Sequence, residues 1–279
     1  MVLLDAMSSA RSGEIAAVAT FDHGTGAAAR RACRLVERAA MERQIPVVSG
    51  HMPTGEATTE ADWRAARWRF LDAWAEELRA TVVTAHTQDD QIETVVLRLL
   101  RGTGVRGLAA MQRNGPIVRP LLDVPRATVA AYARIRGVPF VEDPSNASRA
   151  HQRNRVRLDL LPALERAQAG FGAWCLDIAA RAEALRAMVE AVVDDLELLV
   201  TGDGSLVLRA VPVARCGADE WGVLWPALAG RVGVTMDRRG IERAASWAPR
   251  AAPGSHIPLA GDAEIARTRT TFVIRPRIR

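Results

Sequence analysis

Lysine is absent from the 279 residues, so all 37 basic side chains are arginine. That absence excludes a phosphate-loop lysine, a Schiff-base lysine and a covalently adenylylated lysine. Cysteine is scarce: Cys33, Cys175 and Cys216 stand far apart, and none forms Cys-x-x-Cys. The spacing argues against a disulfide framework and against a zinc ribbon. The five histidines are scattered. No apolar run reaches the roughly 18 residues of a membrane span. Met1 to Met7 lacks the length and basic flank of a secretory signal, so a cytoplasmic location is expected.

What is present fits ordinary globular cores, with 49% hydrophobic residues and enough chain for one large or two modest domains. A formal charge of +5 and a pI near 10.2 favour a polyanionic partner. A GC-rich genome accounts for the arginine bias itself. Arginine's planar fork nevertheless suits phosphate recognition.

Strands alternate with helices in the first half. Glu14 to Phe21, Ile45 to Ser49 and Thr81 to Ala85 read as strands. Helices are expected at Thr25 to Gln44, Thr59 to Arg79, from near Asp89, and Val124 to Gly137. Alternation of this kind requires crossover connections and predicts a parallel α/β sheet. Further on, Trp174 to Val200 reads as a long helix or helix pair. Leu206 to Arg209 reads as a strand, and helices follow near 218–229 and 237–247. Strands near 256–260, 263–267 and 271–274 close a small α+β domain.

The densest chemistry lies in His86-Thr-Gln-Asp-Asp-Gln-Ile-Glu-Thr94, which runs into Leu97-Arg-Leu-Leu-Arg-Gly-Thr-Gly104. Strand, turn and helix crowd Asp89, Asp90 and Glu93 at a helix N-terminus, where α/β sheets bind ligands. Carboxylates there suit Mg²⁺. They equally suit helix capping. Asp22 at the end of its strand reads as a turn residue. Arg149, Arg153, Arg155 and Arg157 read alone as a solvated charged face, with Arg153 and Arg157 one helical turn apart.

The block resembles the signature of the tRNA(Ile)-lysidine synthase family of N-type ATP pyrophosphatases, His-His-x-x-Asp-Asp-x-x-Glu-Thr then Leu-x-Arg-Gly-x-Gly. Ala85 replaces the first histidine. Glu60-Ala-Asp-Trp-Arg64-Ala-Ala-Arg67-Trp68, Pro120-Leu-Leu-Asp123, Glu142-Asp-Pro-Ser-Asn146 and Arg153-Asn-Arg-Val-Arg157 match further family blocks in the same order. The absence of paired cysteines separates the chain from the related tRNA thiolases.

The resemblance implies a parallel-sheet domain of the adenine nucleotide alpha hydrolase type over 1–168, and a helical linker with a tRNA-binding domain over 169–279. It implies ATP, Mg²⁺, free L-lysine and an isoleucine tRNA with a CAU anticodon, no membrane, and allows a homodimer. Catalytic residues would be Asp89, Asp90, Glu93, Arg64, Arg67 and Arg157, with Asp89 and Asp90 on the metal. Nucleotide contacts would come from Asp22, His23, His86, Gly102 and Gly104, and substrate contacts from Asp143, Asn146, Arg153 and Arg155. Tail arginines Arg267, Arg269, Arg275, Arg277 and Arg279 would touch RNA phosphates or else protect an edge strand.

One family feature has no counterpart in this sequence: the Ser-Gly-Gly-x-Asp-Ser loop whose backbone N–H groups hold pyrophosphate. A start codon assigned too late is the expected explanation. The chain as written is then expected to lack the loop's strand, bind ATP weakly and form no lysidine. The competing readings are another enzyme of the superfamily and a tRNA-binding relic without catalysis.

Overall fold

The computed structural model describes residues 1–24, 26–52, 59–113 and 115–276. Two of the tail arginines, Arg277 and Arg279, lie outside the described residues. The chain divides into two compact units, 1–97 with 110–176 and 98–109 with 177–279.

The first unit opens with α1 (Val2–Arg11), β1 (Val18–Asp22), α2 (Ala27–Met41), β2 (Val47–His51), α3 (Glu60–Glu77), β3 (Val82–Val83) and the start of α4 (Gln88–Leu100). The short α5 (Val105–Leu108) falls in the second unit. The first then continues with β4 (Ile117–Val118), α6 (Arg126–Arg136), α7 (Gln152–Arg155), α8 (Leu161–Ala167) and the start of α9 (Phe171–Asp194). β1 pairs with β2 and β3 with β4, both in parallel. The expected parallel pairing is therefore present, as two two-stranded sheets.

Local chemistry explains the boundaries. Thr59 and Asp62 form a reciprocal capping box that starts α3. Gly137, at φ 63°, ends α6 in the left-handed conformation that glycine adopts without strain. Gly50 lets β2 approach α3, because a Cβ there would stand 2.7 Å from the Phe70 ring. Cys175 is fully buried in the first unit, and burial pushes its thiol up to about 11.

The second unit holds β5 (Leu198–Val200), β6 (Leu206–Arg209), α10 (Ala218–Gly230), α11 (Arg238–Trp247), β7 (His256–Pro258), β8 (Glu264–Arg267) and β9 (Thr271–Arg275). Its five strands form an antiparallel sheet in the order β5-β6-β9-β8-β7. Leu206, Leu208, Ile265 and Ile274 pack from the sheet with Trp221 and Trp225 of α10. The two indoles stack at 4.4 Å between centroids. α10 is apolar nearly all round, as a buried helix should be.

Two boundaries differ clearly from expectation. The long helix stops at Asp194, and Leu198–Val200 turns into a strand paired with Leu206–Leu208. Thr201-Gly-Asp-Gly204 is the hairpin turn, so cross-strand pairing overrides the helical period there. β1 starts at Val18 rather than Glu14, since Ser12–Glu14 forms a 3-10 turn after α1. Arg153 and Arg157 meet different partners, Arg153 the carboxylates of Asp90 and Glu93 and Arg157 the Asn146 carbonyl and Asn154 Oδ1, and Val156–Leu160 winds as a π-helix.

Candidate active site

Residues of the conspicuous block sit at the first turn of α4. Thr87 precedes the helix, and both its N–H and its hydroxyl donate to Asp90 Oδ2, at 2.7 and 2.8 Å. Asp90 is thus partly the cap that the sequence allowed. Its other oxygen does different work: Oδ1 accepts from Arg126 Nη2 at 3.1 Å and Arg153 Nη2 at 2.9 Å. Glu93, one turn along, is 1% exposed and accepts from the same two guanidiniums, at 3.2 Å from Arg126 and 2.6 Å from Arg153. Asp89 turns the other way and accepts the backbone N–H of Arg126 at 2.7 Å, capping α6.

Two arginines therefore answer the acidic motif. Burial pushes the Asp90 carboxyl upward, but the Thr87 hydrogen bonds and the Arg126 and Arg153 charges outweigh it and hold it below its ordinary range. Burial works against the Arg126 charge, yet Glu93, Asp90 and Asp89 raise its pKa. Among the described residues, no group of three or more His, Cys, Asp or Glu side chains is arranged to hold a metal ion. Asp89 and Asp90 direct oxygens at N–H donors, so as placed they do not fit a shared divalent cation.

Arg126 is the residue the sequence reading missed. A signal existed: a cation in the first turn of a helix opposes the macrodipole and needs an anionic partner elsewhere. The partner lies over 30 residues away in sequence, beyond any local pattern.

A second cluster is cationic. Arg64 and Arg67 of α3 flank Trp68, with guanidinium carbons 5.6 and 5.9 Å from the ring centroid. Arg119, just after β4, donates to Gln112 O and Ile117 O. The Nε atoms of Arg67 and Arg119 are buried without a hydrogen-bond partner among the described residues. Burial and the nearby Arg64 charge lower the pKa of both. His86 sits in the same field, with Nδ1 2.8 Å from Thr84 Oγ1. Burial drives its pKa down to about 4; Asp90 opposes that, while Arg119, Arg153 and Arg64 add to it. His86 is therefore neutral near pH 7.

His23 follows β1, edge-on to Phe21 at 5.1 Å, and its Nδ1 is buried without a partner among the described residues. Asp22 accepts the Gly24 N–H at 2.8 Å, the turn role the sequence allowed. It also lines an open groove of about 250 Å³ with Arg30, Arg34 and His51.

Other expected site residues hold the backbone. Asp143 accepts the Ser145 N–H at 2.9 Å. Arg155 donates to Arg149 O and Ala150 O, and Arg157 to Asn146 O and Asn154 Oδ1. These bonds order the polar stretch around Asn146. Gly102 and Gly104 stand past the C-terminal end of α4, whereas the carboxylates stand at its N-terminal end. Gly102 ends that helix at φ 69°, and Gly104 starts α5.

The sequence profile of the PP-loop domain matches residues 1–164. The chain belongs to the PP-loop domain family. The chain is 39% identical over 155 residues to the tRNA(Ile)-lysidine synthase of Parasynechococcus marenigrum, covering 52% of this chain and 46% of that protein. The protein of the same name from Bradyrhizobium diazoefficiens is 40% identical, over 64% of this chain and 52% of its own length. That from Thermobifida fusca is 42% identical, over 56% and 49%. The chain thus spans about half the length of these relatives. A U34-tRNA thiolase from Methanococcus maripaludis shares the fold, with a TM-score of 0.52 at 15% identity over 66% of this chain and 67% of that one. Among the described residues, no helix is long and apolar enough to cross a membrane.

Proposed function

We propose that the protein modifies tRNA, as an ATP-dependent ligase that joins free lysine to C2 of the wobble cytidine in an isoleucine tRNA with a CAU anticodon. The observation that carries this reading is the likeness to proteins named tRNA(Ile)-lysidine synthase, together with the PP-loop domain match over residues 1–164, which hold both clusters. The geometry supports it. Arg64, Arg67 and Arg119 concentrate positive charge beside a neutral histidine, a setting suited to phosphate.

In the proposed reaction the cytidine C2 oxygen attacks the α-phosphorus of ATP and the bond to pyrophosphate breaks. The neutral ε-amine of lysine then attacks C2. The C2–O bond breaks, AMP leaves with that oxygen, and the amine gives up a proton. Arg64, Arg67 and Arg119 would stabilise the phosphate charge, with Asp22, His23 and His86 along the nucleotide. Asp90 and Glu93, locked by Arg126 and Arg153, would set the position of the wall that the lysine meets. Arg157 and Arg155 would act by ordering the stretch that carries Asp143 and Asn146. We assign catalysis to 1–168 and tRNA binding to 169–279. The carboxylates as placed give no cation cage, so no step is drawn through Mg²⁺.

The test is incorporation of labelled lysine into a CAU-anticodon transcript with ATP. It is run on this chain and on the gene product extended upstream by its in-frame codons. Incorporation that disappears when CAU is changed supports the reading. Retention of tRNA by both proteins with incorporation by neither would leave a binding protein in its place.

A further inference from the structure

An open groove of about 850 Å³ lies on the second unit, lined by Arg239, Arg243, Arg250, Trp247 and Ile257 among others. Arg239 and Arg243 are one turn apart on α11 and share a face. Arg250 follows the helix at the next turn. All three arginines are exposed. Arg243 Nη2 donates to Pro258 O at 3.1 Å, which places it at the lip between α11 and β7. Arg239 and Arg250 have no acidic partner among the described residues. Glu242, the acid of the lining, is already paired with Arg238 at 2.8 Å. The groove thus presents uncompensated positive charge around an apolar floor.

That floor is specific. Trp247 is half-buried, packed against the core of the second unit with its ring at 74° to that of Phe272 and 6.0 Å between centroids. Ile257 is half-buried beside it. An indole anchored in the core, in a groove lined by three arginines, suits stacking with a base and arginine contacts to its phosphates. A duplex offers phosphates but keeps its bases stacked inside, so it would use only the arginines.

We propose that this groove binds an unpaired RNA nucleotide, its base stacked on Trp247 and its flanking phosphates held by Arg239, Arg243 and Arg250. The inference rests on the reading of the protein as a tRNA-modifying enzyme only for the biological source of that RNA. The groove's chemistry stands without it.

The experiment measures binding of the full chain to a single-stranded oligouridylate and to a duplex RNA of equal length, by fluorescence anisotropy at several salt concentrations. The triple change Arg239→Ala, Arg243→Ala, Arg250→Ala is expected to weaken oligouridylate binding at least tenfold. It should also flatten the slope of log affinity against log salt by about two, from roughly 0.7 per lost phosphate contact on a single strand. Trp247→Leu should weaken the single strand several-fold and leave the duplex unchanged, while Trp247→Phe should retain binding to both. Thermal melting of each variant separates lost contact from lost folding, and the Phe variant keeps the test open if the Leu variant unfolds. Single-strand affinity within twofold of the parent in the triple variant, at an unchanged slope, overturns the proposal. So does an equal loss of duplex and single strand in folded Trp247→Leu. Neither result depends on lysine or ATP, so failure of the groove and failure of the ligase reading are told apart.

Discussion

The Arg153 Nε stands 2.6 Å from Glu93 Oε2, and only 1% of the Glu93 side chain is exposed. A buried pair adds little net stability but is costly to break from one side, at about 3–5 kcal/mol. Arg153→Ala should therefore lower unfolding stability by about 3 kcal/mol, and adding Glu93→Gln should recover part of that loss. Urea denaturation of the parent, both single variants and the double variant checks this. Strictly additive losses would show that the two side chains are uncoupled.

Asp89 and Asp90 are adjacent but should respond differently. Asp89 accepts one backbone N–H at the start of α6, so Asp89→Ala should cost about 1 kcal/mol and Asp89→Asn less. Asp90 accepts from Thr87, Arg126 and Arg153, so Asp90→Asn should cost about 1–3 kcal/mol besides lowering any ligation. Equal melting losses for the two asparagine variants would contradict this division.

Arg67 and Arg119 carry charge that burial and Arg64 disfavour. Arg67→Ala and Arg119→Ala should each weaken ATP or inorganic pyrophosphate about tenfold, or about 1.4 kcal/mol. Folding stability should stay level or rise in Arg67→Ala as repulsion is relieved, whereas Arg119→Ala also loses its bonds to Gln112 O and Ile117 O and should cost about 1 kcal/mol. Isothermal titration with both ligands gives the answer, and unchanged affinity in both variants would move the phosphate site elsewhere.

His86 makes stability depend on pH. Its folded pKa of about 4 lies below the ordinary 6.5. As pH falls through that window, the unfolded chain takes up a proton that the folded protein refuses. The stability is full above pH 6.5 and is lost on the way to pH 4. Discounted for partial exposure, the loss is about 1–2 kcal/mol. His86→Gln should flatten this part of the pH–stability curve, and an NMR titration of the ring should show a midpoint near 4. A midpoint near 6.5 would mean that the ring is solvated.

Long elements with strong local signals were legible in the sequence: α2, α3 and α4 by periodicity, α6 by the glycine that stops it. The strand at Thr81 to Ala85 was legible too, though only Val82–Val83 of it pairs; its extent is set by the short partner Ile117–Val118, which local pattern does not reveal. The β5 segment was hidden for a related reason: Leu198–Val200 continues an apolar run that only its hairpin partner breaks. In the candidate site, the acids of α4 were legible as a group, but their partners were not. Arg126 and Arg153 reach Glu93 from 33 and 60 residues away, a distance at which charge pattern carries no pairing information. The roles of Arg155 and Arg157 were hidden too, since donation to carbonyl oxygens leaves no trace in side-chain chemistry.

Gln91, 6% exposed, closes a two-way clasp on Met111: its Nε2 donates to Met111 O and its Oε1 accepts from Met111 N, both at 2.9 Å. A side-chain amide here completes what a neighbouring strand would do for the backbone. The Met111 amide is therefore sheltered by α4 rather than by its own secondary structure. In deuterated solvent its proton should exchange in step with the opening of that helix turn, and not at the pace of the loop that carries it. A single slow amide in an irregular segment then becomes a clock for the element that presents Asp90 and Glu93.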